Sequence, residues 1–343
     1  MKPELDKLCQ EYISNRDAVK EAFRWDKSAL HTVCANIFCA RGKTADAERL
    51  KACRKIIKDS TGFRSKFRSK KVRSVLASML SLQDKPEDRM ALANDYYRLL
   101  KRQFKGSEYL VLTAFLLADL ADQTLTEEKI SRGKEIYARM NRQHRILTDK
   151  TDSVFAMLMA FSGKTTDELT EETEACYQAL KKRFRSGGAQ TAAQVLSMAD
   201  GTPEEKVRRV TDLYDALREA EIGYGRSDEL APLAALSLAD TPLPALTEEI
   251  KEVDEFLKTR EGFEGSKESE QASRAMYAVM IVSDQYAGTD QVNITVMTNT
   301  IDMLIAQQQA SRLSLFLNIL QFAVKLIPET KKEPEAEQEQ AEK

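Results

Sequence analysis

The sequence predicts an all-α protein: a right-handed α/α solenoid of helical hairpins, in the manner of HEAT and tetratricopeptide arrays, with a helical C-terminal cap. Three observations carry this. Glycine and proline are scarce, 13 and 8 of 343 residues, below the usual ~7% and ~5%. A sandwich or barrel needs such turn residues at short intervals. The sequence also matches itself when shifted by roughly 39 residues, longer than a tetratricopeptide and close to a HEAT-like unit. Finally, each period pairs a short apolar stretch with a longer charged one, both wide enough for helices.

In chain order, residues 1–27 are expected to form an N-terminal capping helix over Pro3–Trp25. Hairpins fill 28–271. Ala45–Asp59 fits the first charged slot, followed by Asp88–Phe104, Glu127–His144, Glu168–Phe184, Glu204–Glu219 and Thr247–Lys258. The apolar partners are Val75–Leu82, Val111–Leu120, Val154–Phe161, Ala192–Ala199, Pro232–Ala239 and Ala275–Ser283. Tyr97, Tyr137, Tyr177 and Tyr214 share one column of the repeat, and Val253 takes the next place. Pro86 and Pro203 precede acidic pairs, a helix-start signal. The same helices end in basic runs, so their charges complement the helix dipole. Gly106 and Gly187 are expected to stop them. A lone hairpin cannot bury its apolar face, and stacked ones can. Residues 272–327 break the pattern and read as a larger helical cap. Within them, Leu313–Ile327 is too short for a membrane span of about 20 residues and reads as a buried or partner-facing helix. Residues 328–343 read as a solvated, disordered tail.

Charge is balanced, 52 basic against 54 acidic residues. A dedicated nucleic-acid binder usually carries a basic excess, so nucleic acid is not the favoured partner. The five cysteines are odd in number and cluster early, at Cys9, Cys34, Cys39, Cys53 and Cys176. That does not suit a secreted disulfide framework and points to reduced thiols in a cytoplasm. The first 16 residues lack an apolar run, so no signal peptide is expected.

Five stretches carry a family resemblance: Phe23-Arg24-Trp25-Asp26, Val33–Leu50, Gly106–Leu110, Ser153–Ala156 and Val253–Leu257. Together they resemble the bacterial domain-of-unknown-function family numbered four thousand and three, from Phe23 to about Ala287. The resemblance implies a helical fold in a bacterial cytoplasmic protein, and it carries over no functional residue.

His31, Cys34, Cys39 and Cys53 suggest a metal site, but on a helix Cys34 and Cys39 point about 140° apart. Buried packing is the simpler reading of all the cysteines. His144 lies seven residues after Tyr137, as Phe104 and Phe184 do after Tyr97 and Tyr177, so it replaces an aromatic packing residue. The acidic pairs Glu127-Glu128, Glu171-Glu172, Glu204-Glu205 and Glu248-Glu249 read as helix starts rather than catalytic carboxylates. No catalytic or cofactor motif is legible, and no cofactor is expected. The most distinctive stretch is basic and aromatic: Arg64, Lys66, Arg68, Lys70, Lys71 and Arg73, interleaved with Phe63 and Phe67. Arg183 and Arg185 form a weaker second run. These eight are the candidate anion or partner contacts. The leading expectation is a non-catalytic scaffold for a protein or peptide. The alternatives are a polyanion or nucleic-acid binder acting through 64–73, and an α/α-toroid enzyme acting on a lipid or glycan.

Overall fold

The computed structural model describes residues 1–119, 125–148, 150, 152–227 and 229–286. Leu313–Ile327, the tail at 328–343 and most of the expected C-terminal cap lie outside these residues. Among those described there are fourteen α-helices, one 3-10 turn at Lys66–Arg68 and no strand. The helices are α1 (Pro3–Ala22), α2 (Ser28–Cys39), α3 (Ala47–Asp59), α4 (Arg73–Ser81), α5 (Pro86–Leu100), α6 (Glu108–Asp119) and α7 (Glu127–Gln143). They continue with α8 (Asp152–Met159), α9 (Thr166–Leu180), α10 (Ser186–Ser197), α11 (Pro203–Glu219), α12 (Leu230–Ser237), α13 (Leu243–Lys258) and α14 (Glu268–Gln285).

Each odd-numbered helix packs on the even-numbered one that follows it. The even helices form the inner layer: every residue of α8 and α12 is buried, and so is every residue of α4 after Arg73. Small residues such as Ala77, Ala156 and Ala234 let these helices approach closely. The odd helices form the outer layer and bury a single stripe, in α11 Lys206, Val210, Leu213, Tyr214 and Leu217. Within each layer a helix packs mainly on its neighbours, as in α2 on α4, α10 on α12, α3 on α5 and α9 on α11.

The two ends of the row also touch. Helix α1 packs on α13 and α14, and α14 on α2. The hydroxyls of Thr32 and Tyr277 lie 3.1 Å apart across this seam, and Lys2 reaches Glu249 at 2.6 Å. The hairpins therefore close on themselves.

The tyrosine column joins neighbouring units. Phe67 packs edge-on against Tyr97, Phe104 against Tyr137 and Phe184 against Tyr214. His144 lies 4.4 Å from the Tyr177 ring, the packing role expected for it. At the seam Phe263 also meets a tyrosine, Tyr12, but the rings are tilted and 6.5 Å apart. Because each rung joins the end of one outer helix to the later part of the next, the outer helices run the same way round.

Three local expectations are corrected. Helices α5 and α9 end at Leu100 and Leu180, so Phe104 and Phe184 lie in the following turns rather than in the helices. That frees each ring to reach its neighbour's tyrosine. Gly187 does not stop a helix but sits in the first turn of α10. Glu171-Glu172 and Glu248-Glu249 lie well inside α9 and α13, because those helices start earlier than their acids suggest.

Candidate functional site

The turns inside the hairpins all fall on one rim, since the outer helices share a direction. The basic stretch is the longest of these turns. Phe67 is its buried anchor at 1% exposure, while Phe63 is 89% exposed. The fold itself uses half of the eight candidate cations. Lys66 pairs with Glu108 at 3.2 Å. Arg68 donates to the carbonyl of Thr61 at 2.6 Å, to its hydroxyl at 3.3 Å and to the carbonyl of Lys58. Arg73 pairs with Asp26 at 3.3 Å. Arg183 grips Asp215 with both guanidinium nitrogens. Arg64, Lys70, Lys71 and Arg185 are exposed and have no acidic partner among the described residues.

These pairings set the local electrostatics. Partial burial pushes the Glu108 carboxyl up, but its own backbone N–H and Lys66 more than offset that, and it sits below the ordinary range. The hydrogen bond from Arg183 holds Asp215 below its ordinary range. The two basic runs share a rim without merging. Arg185 joins the next turn through its backbone N–H to the Arg226 carbonyl at 2.9 Å, and Arg226 donates to the Arg183 carbonyl.

Inside the ring the polar groups serve the fold. The Nε2 of His31 lies 3.0 Å from the Phe23 carbonyl. All five cysteines are free and buried. Burial pushes the thiols of Cys9 and Cys34 up to about 12 and those of Cys53 and Cys176 up to about 11. The Asp152 carboxylate accepts from Gln190 at 3.1 Å and Gln194 at 2.6 Å, tying α8 to α10. Arg274 donates to Asp254 at 2.9 Å and to the carbonyls of Phe263 and Gly265.

One set of residues escaped the sequence reading. Arg209 on α11 donates to the carbonyls of Ser237, Ala239 and Thr241 at 2.6, 2.7 and 3.3 Å, satisfying the free end of α12. Arg49 serves α4 in the same way through Ser81 and Gln83, and Arg132 serves α8 through Ala160, Ser162 and Lys164. On α9 the slot holds Glu172 instead, and Lys164 and Lys206 converge on it. Those two lysines supply the donors to Ser197 and Ala199 at the end of α10. The signal was present in the sequence: Arg132, Glu172 and Arg209 each lie five residues before a column tyrosine.

A family model described as "Protein of unknown function (DUF4003)" matches residues 15–310. "Uncharacterized protein YeaA" of Bacillus subtilis (strain 168) is 23% identical over 248 residues, covering 70% of this chain and 74% of that protein. No solved structure matches significantly.

Proposed function

The chain belongs to the family described as "Protein of unknown function (DUF4003)", and on that premise we propose that it is a scaffold that acts by holding a protein or peptide partner rather than by catalysis. In this reading the hairpins follow a right-handed α/α path over 28–271, flanked by 1–27 and 272–327, with a solvated tail at 328–343. The protein works in a bacterial cytoplasm; no described helix is long and apolar enough to cross a membrane.

The observation that carries the reading is the polarity of the outer helices. They start acidic, at Glu87-Asp88, Glu127-Glu128, Asp167-Glu168 and Glu204-Glu205, and they lead into basic turns. Running in parallel, α5, α7, α9 and α11 turn these acidic starts towards one rim, while the turns after α3, α5 and α9 set their cations towards the other, and an ion pair from Arg102 to Glu127 at 3.1 Å spans the two. A protein partner with a basic segment fits the acidic rim. The buried His31, Asp152, Asp254 and Arg274 support the same reading, since each is bonded to a neighbour in the fold. Affinity capture should recover a reproducible partner with the native chain and lose it with a Glu87→Gln, Glu127→Gln, Glu204→Gln variant. Equal capture by both, or none above background, removes this reading.

A second reading, contact with a polyanion through the basic rim, is favoured by the unpaired cations Arg64, Lys70, Lys71 and Arg185. Retention on heparin at low salt should fall when Lys70 and Lys71 become Glu.

A further inference from the structure

Among the described residues, the three most exposed large apolar side chains are Trp25 at 86%, Phe63 at 89% and Ile146 at 98%. All three stand in turns inside hairpins, on the basic rim. In water such exposure gains nothing for the fold, and tips this isolated do not form a groove for a folded protein.

Their turns are held in place. Asp26, next to Trp25, pairs with Arg73 and accepts from the Ser74 hydroxyl. Lys66 ties the basic stretch to Glu108 at the start of α6. His144, two residues before Ile146, packs on Tyr177 and lies 2.6 Å from Glu174, both on α9. The apolar tips are thus presented by anchored loops and cannot easily fold back.

The charge around them is one-sided. The turns 23–27, 60–73, 101–108 and 144–151 contain thirteen basic side chains and three acidic ones, Asp26, Glu108 and Asp149, and Asp26 and Glu108 are paired to rim cations. Farther round, at 220–229 and 259–267, the rim also carries acids such as Glu221 and Glu261. The basic, apolar-tipped arc therefore runs from the α1–α2 turn to the α7–α8 turn. The Arg24 guanidinium lies 4.8 Å from the Trp25 ring, so an indole and a cation occupy one spot.

We propose that this arc docks the protein peripherally on an anionic lipid bilayer. Trp25, Phe63 and Ile146 enter the interfacial layer, and the lysines and arginines lie over lipid phosphates. Nucleic acid fits less well, because aliphatic Ile146 offers no stacking face. The inference rests on the polyanion reading and narrows it to one source of negative charge.

Trp25 is the only tryptophan in the chain, so its emission reports insertion directly. Phosphatidylcholine vesicles containing phosphatidylglycerol should shift that emission to the blue and co-sediment the protein, while pure phosphatidylcholine should do neither. Trp25→Ala and Phe63→Ser should each weaken co-sedimentation on the order of tenfold, with unchanged circular dichroism and unchanged heparin retention. Changing Lys70 and Lys71 to Glu should lower both kinds of binding. Heparin retention without vesicle binding overturns the lipid proposal and leaves the polyanion reading standing; loss of both removes both. Vesicle binding that Trp25→Ala and Phe63→Ser leave unchanged, or an emission shift seen with duplex DNA and not with vesicles, also overturns it.

Discussion

Glu172 stands where neighbouring hairpins place Arg132 and Arg209, yet the inner helix beside it is still capped by cations. Lys164 and Lys206 supply the donors, and Glu172 balances their charge. Lys206 is 3% exposed, and burial lowers the pKa of its amine against the pull of Glu172. Two costs follow from opposite ends of this arrangement. Arg209→Ala removes three charged hydrogen bonds and should cost about 1–3 kcal/mol, read by urea denaturation. Glu172→Ala strands a buried ammonium beside a second one and should cost at least as much, about 3 kcal/mol. The cysteines give a separate check. With thiols raised to about 11 and 12, the folded chain should be nearly inert to a disulfide reagent at pH 8 and react at all five sites once unfolded.

At the scale of the helix, the outer elements depend on their first turns. Thr165 with Glu168 and Thr202 with Glu205 form reciprocal capping boxes. Hydrogen bonds from Thr165 and Thr202 hold these two carboxyls below their ordinary range. Their stabilisation is therefore complete above the ordinary glutamate value near ~4.3 and is lost as pH falls through the lowered one. Melting temperature should drop as pH is taken from about 5 to 3, and Glu168→Gln with Glu205→Gln should flatten that drop. Helix α10 carries a different constraint. A Cβ on Gly188 would collide with the Ser227 carbonyl, so Gly188→Ala should cost about 1–3 kcal/mol in thermal unfolding. The outer helices were the legible ones, because Pro86, Pro203 and the acidic pairs mark their starts and an amphipathic stripe fixes their phase. Their ends were not. Phe104 and Phe184 keep helical spacing from Tyr97 and Tyr177, and only contact with the next unit shows that they have left the helix. The inner helices are buried all round, so their pattern reveals a helix without saying which side meets what. The basic stretch was visible by composition, but Trp25 and Ile146 joined it only once folding put their turns on one rim.

For the whole molecule, the seam joins the two ends of the row through an aromatic contact, as the joints inside it do, but with a different geometry. Phe263 meets Tyr12 in a looser, tilted contact at 6.5 Å, where Phe184 meets Tyr214 edge-on at 5.0 Å, but both tyrosines are fully buried. Tyr12→Ala should therefore cost about as much as Tyr214→Ala, about 3 kcal/mol, and chemical denaturation of both variants would show it. An open array frays from its terminal repeats. Here the first and last described hairpins support each other, so the described helices should unfold in one cooperative step by both far-ultraviolet circular dichroism and the near-ultraviolet signal of the buried tyrosines. Closure also fixes arithmetic. A circle admits only the number of members whose angles add up to a full turn. Open solenoids can lengthen by duplicating a unit, whereas an added or lost hairpin here would have to change the angle at every joint, so length is a property that drift in this chain could not easily alter.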